Sequence, residues 1–118
     1  MGILDFLFGD SDPDPVSAAF KQYEKDELRY WRDYRDIQIY YRSLVQSGGL
    51  GNSKNLKRLN RRTERNRGVL LDKSVDSKQK YIKACEDAGI DRKTDQEERE
   101  KANPEISRII KGIQLQYP

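Results

Sequence analysis

Residues 15–46 read PVSAAFKQYEKDELRYWRDYRDIQIYYRSLVQ, with no glycine and no proline after Pro15. Val16, Phe20, Tyr23, Glu27, Tyr30, Tyr34, Ile37, Tyr41 and Leu44 fall at alternating steps of four and three. That is a heptad seam whose one polar member is Glu27. Leu28, Trp31 and Val45 widen the stripe. The spacing predicts one unbroken helix of about 48 Å at 1.5 Å per residue. Asp14 stands where an N-cap belongs and Pro15 at the first helical position, where its missing N–H has no partner to lose.

Ser47-Gly48-Gly49-Leu50-Gly51-Asn52-Ser53 ends this helix, and Asn52 or Ser53 can cap the next one. A second helical stretch runs from about Ser53 towards Ala88 and is closed by Gly89. Its apolar positions are Leu56, Leu59, Leu70, Leu71, Val75, Tyr81, Ile82, Cys85 and Ala88, sparse at first and denser later. Gly68 and the polar run before it mark a place to fray or kink. A short loop between two long helices makes them antiparallel neighbours. The fold expected is therefore all-α, a long antiparallel helical hairpin. Phe20, Tyr23, Tyr30, Trp31, Tyr34, Ile37, Tyr41 and Leu44 form its seam against the leucines and Tyr81 of the second helix.

Beyond Gly89 comes a polar segment, 91–102, with a short helix capped by Thr94. Asn103-Pro104 then restarts a helix lined by Ile106, Ile109, Ile110 and Ile113. Ile113, Leu115 and Tyr117 alternate with glutamines, a strand-like signal that lays the tail extended on a neighbour's surface; a frayed helix end reads the same residues. The chain thus divides into an N-terminal docking arm and linker (1–14), the hairpin (15–89), and short helices with a docking tail (90–118).

The composition narrows the function. Charged residues make up 36% of the 118, hydrophobic ones 35%, against about 25% charged in an ordinary domain. The mean hydropathy is −1.01, and no run approaches the ~20 apolar residues of a membrane-crossing helix. With no His and a single Cys, neither a disulfide framework nor a His/Cys zinc site can form, and no cofactor is expected. No His is present for proton transfer near neutrality. Cys85 reads as a small buried hydrophobe, and Glu97, Glu98 and Glu100 as a solvated helix face. An enzyme is not expected.

The charge is unevenly placed. Residues 1–14 carry four acids and no base, whereas residues 54–67 carry Lys54, Lys57, Arg58, Arg61, Arg62, Arg65 and Arg67 against Glu64 alone. On a helix, Lys54, Arg58, Arg61, Arg62 and Arg65 make one continuous stripe. Arginine forks match phosphate oxygens, which suits a nucleic-acid backbone. An acidic protein surface, including the acidic arm of another copy, fits the same stripe, and so does plain solvation. The glycines before Ser53-Lys54 lack the spacing of a phosphate loop and follow a helix rather than a strand.

The opening Met1-Gly2-Ile3-Leu4-Asp5-Phe6-Leu7-Phe8-Gly9 is a short apolar burst. Asp5 interrupts it and acids follow, so it does not read as a signal peptide, and Phe6 occupies the Ser/Thr position of a myristoylation site. Ile3, Leu4, Phe6, Leu7 and Phe8 are expected to dock on a neighbour; packing on the chain's own helices and insertion into a membrane surface are the alternatives. These nine residues, followed by a charged helical body, resemble the start of small virion proteins of tailed bacteriophages, among them internal, ejected and connector-associated components. The resemblance carries over no functional residue. It implies a structural or assembly component held among other proteins in multiple copies, located in the virion or host cytoplasm. A small nucleic-acid-binding protein using residues 54–67 is the second reading, and a peripheral membrane or ejected protein the third.

Overall fold

In the computed structural model, which describes residues 14–118, α1 spans Pro15–Ser47 as one helix. Asp14 caps it: its carboxylate accepts from the Ser17 N–H at 3.0 Å and the Ser17 hydroxyl at 2.7 Å. Gly48 ends it at φ 74°, a left-handed conformation that glycine adopts without steric penalty. After a single 3₁₀ turn, Gly49–Gly51, Asn52 caps α2 (Ser53–Arg65) by accepting from the N–H groups of Lys54 and Asn55.

α2 does not break at Gly68. It passes through a five-residue π turn, Asn66–Leu70, into α3 (Leu71–Ala88), which Gly89 closes at φ 70°. The buried residues of this long joined helix run through the turn. Asn66, Leu70, Ser74, Ser77, Tyr81 and Cys85 face inward, with two successive steps of four at 66–70–74. The widened turn sits where Asn66 and Leu70 are buried against α1, and Asn66 is tied there to Tyr30 and Asp33. Leu71 and Val75 are turned out to solvent, against the sequence expectation that the leucines of this helix face α1.

The joined helix runs back along α1 as an antiparallel hairpin, and the described residues measure 63 × 26 × 25 Å. At one end Val16, Phe20 and Tyr23 of α1 pack on Tyr81 and Cys85 of α3. The Phe20 and Tyr81 rings meet edge to face with centroids 5.2 Å apart. Each such side chain contributes about 1.5–3 kcal/mol when fully buried. At the other end Ile37 and Leu44 close on Leu59 of α2, with Tyr40 and Leu50 against them. Tyr41, assigned to the seam by its spacing, is 43% exposed, and Tyr40 takes the place beside this cluster.

α4 (Arg92–Ala102) is capped by Asp91 rather than Thr94, which instead donates its hydroxyl and N–H to the Asp91 carboxylate. α4 covers the Tyr81 end of the core, where Asp95 accepts from the Tyr81 hydroxyl at 2.5 Å and from Arg99 Nε at 2.8 Å.

α5 (Glu105–Gln116) corrects the extended tail: residues 113–116 are helical. α5 runs in the same direction as α1, with Ile106 and Ile110 beside Phe20 and Tyr23 and its end beside Tyr34 and Arg42. Tyr34 donates its hydroxyl to the Tyr117 carbonyl at 2.9 Å, and the Arg42 guanidinium lies 4.6 Å from the Tyr117 ring centroid. Ile113 and Tyr117 are therefore buried in the chain's own core and not free for a neighbour, whereas Leu115 is 84% exposed. Tyr34 serves α5 rather than the hairpin, and Tyr30 and Trp31 are half-buried beside it in an edge-to-face row. The docking arm formed by Ile3, Leu4, Phe6, Leu7 and Phe8 lies outside the described residues.

Candidate functional site

Lys54, Lys57, Arg58, Arg61 and Arg65 are exposed along α2. None of them forms an ion pair among the described residues, so their charges face solvent. Arg62 sits deeper, with its guanidinium 4.0 Å from Asp33 Oδ1 and 5.8 Å from the centroid of the Tyr40 ring. Arg67 leaves the stripe. Asn66 points inward, and residues on either side of an inward position point to opposite flanks, which separates Arg67 from Arg65.

The hairpin adds bases from α1. Lys25, Arg29 and Arg32 stand at steps of four and three on its outer flank, and with Arg65 they line an open cleft floored by Leu28 and Leu70. Asp33 and Asp36 are its two acids. Both are engaged: Asp33 by Asn66 Nδ2 at 3.0 Å and by Arg62, and Asp36 by Arg35 at 3.1 Å. The α1 half of this basic face went unread in the sequence. Its helical spacing was visible, but counting charge by segment cancelled it against acids on other faces of α1.

The acids gather elsewhere. Glu24, Glu27 and Glu100 border an open pocket of about 180 Å³ between α1, α4 and α5, which Lys111 also lines. Glu100, read from the sequence as part of a solvated helix face, is half-buried and lines this open pocket. Burial, then the charges of Glu100 and Glu27, push the Glu24 carboxyl above its ordinary value. Among the described residues no group of three or more His, Cys, Asp or Glu is placed to hold a metal ion. Cys85 is fully buried, and burial raises its thiol pKa, which suppresses the reactive thiolate. No described helix is long and apolar enough to cross a membrane. No protein-family model, curated protein or solved structure matches this chain.

Proposed function

We propose that the chain is a non-enzymatic structural or assembly component of a larger complex, held by apolar contacts and presenting its basic face to an anionic partner. The observation that carries this reading is apolar side chains left in water on a chain with few to spare. Leu71 and Val75 stand one turn apart on α3, and Leu115 projects from α5, all exposed. The apolar residues Ile3 to Phe8 are further candidates for contact with a neighbour. Burying such side chains against a partner recovers hydrophobic free energy that the isolated fold leaves unused. The likeness of residues 1–9 to tailed-phage virion proteins supports a phage particle as the setting, and the virion or host cytoplasm as the location.

The test is incorporation. Deleting residues 1–9 is expected to remove the chain from the particle while leaving the hairpin folded by circular dichroism. Retention of the truncated chain at wild-type copy number would contradict the reading.

A further inference from the structure

We infer that the basic face is a site for a nucleic-acid backbone, built jointly by Lys25, Arg29 and Arg32 of α1 and Arg58, Arg61 and Arg65 of α2. The inference rests on the proposed reading of this face as a partner surface and names the partner. Helical spacing places each trio along one flank of its own helix; Lys25, Arg29 and Arg32 line one cleft with Arg65, and Arg61 and Arg58 continue from Arg65 along α2, so the six bases follow one another along the hairpin. The cleft's two carboxylates are already engaged, Asp33 by Asn66 and Arg62 and Asp36 by Arg35. The six bases therefore act as a net positive surface rather than an internally neutral network.

The chemistry favours a polyphosphate over an acidic protein. Protein interfaces draw their affinity from aromatic or large apolar anchors seated in pockets. This cleft is lined by no aromatic residue, and its apolar floor is only Leu28 and Leu70. Five of the six bases are arginines, whose planar forks pair with phosphate oxygens two bonds at a time. A regularly charged backbone needs nothing more, since its binding is driven by release of condensed counterions. No base-reading element is implied, so binding is expected to be indifferent to sequence.

The experiment measures binding of the purified full-length chain to a labelled duplex DNA of random sequence, by fluorescence anisotropy, as a function of salt. Six phosphate contacts give a slope of about −5 in log K against log salt, and a loss of about a thousandfold in affinity between 50 and 200 mM. The triple variant Lys25→Gln, Arg29→Gln, Arg32→Gln, checked for unchanged circular dichroism, is expected to lower the slope by about 3. Arg58→Gln, Arg61→Gln, Arg65→Gln is expected to do the same. Absence of binding at 50 mM salt, or an α1 triple variant with the wild-type slope, would overturn the inference. So would binding to polyglutamate as tight as to DNA, which assigns the face to an acidic protein. None of these outcomes touches the assembly reading, which is judged by incorporation into the particle.

Discussion

Asn66 Nδ2 donates to Asp33 Oδ2 at 3.0 Å and to the Tyr30 carbonyl at 3.1 Å, tying the π turn of the second helix to the middle of α1. Asn66 is 3% exposed, in a position an apolar side chain would otherwise fill. A single buried amide in a helical seam fixes register, because a slipped pairing would leave it unsatisfied. Arg62 reaches the same Asp33, so one acid joins the register contact to the edge of the basic face.

Asn66→Ala is expected to destabilise the fold by about 1–3 kcal/mol, the range for losing a buried hydrogen-bonded group. Gly68→Ala should act in the opposite sense. A Cβ there meets nothing within 4 Å and the residue is not at positive φ, so alanine stabilises by about 0.5–1 kcal/mol. Urea denaturation of the two variants checks both signs.

The end of α5 is held by Tyr34 and Arg42. Tyr34→Phe removes the hydrogen bond to the Tyr117 carbonyl and should cost about 0.5–1.5 kcal/mol. Combining it with Arg42→Ala should raise hydrogen exchange in residues 105–117 well before the hairpin opens. Uniform protection across α1 and α5 in the double variant would show that these contacts do not hold the helix.

Stability should rise as the pH falls from neutral into the mildly acidic range. The Glu24 carboxyl is held above its ordinary value of 4.5, so the folded state takes up its proton before the unfolded chain does. This gain accrues as pH falls through the raised value towards 4.5 and is complete below it. The Asp14 and Asp91 caps act oppositely. Hydrogen bonds from Ser17 and from Thr94 hold them below 3.8, and their contribution is lost as pH falls through their folded values. Glu24→Gln is expected to raise Tm near pH 7 and to match the wild type by about pH 4. An equal difference at both pH values would contradict this.

Cys85 should be inert in the native chain and reactive once it unfolds. Both it and its neighbour Tyr81 have no exposed surface, and burial raises the pKa of each. Ellman's reagent should label the thiol promptly in denaturant and negligibly without it. Tyr81→Phe, which removes the hydrogen bond to Asp95, should cost about 1.5–3 kcal/mol and quicken native labelling. Prompt labelling of the native wild-type chain would contradict the packing described.

The sequence carried α1 and its caps clearly, because 33 residues repeat one period between an acid–proline start and a glycine stop. The place of the π turn was legible in Gly68 and the polar run before it; its form was not, since that answers to register between two helices. The tail misled for a geometric reason. Ile113 and Tyr117 are four apart, so they share one side of a helix as well as one face of a strand. Only Leu115 separates the two readings, and its exposure belongs to the helix. Of the basic face, the α2 half was plain in a run of like charge. The α1 half appears only when Lys25, Arg29 and Arg32 are sorted by helix side instead of by segment.

Whether this chain works as part of a larger assembly is decided by the mass of the native species recovered from its source. A particle or complex many times heavier than one chain, with the protein in several copies, is the expected result. A free monomer of 13.8 kDa would contradict it.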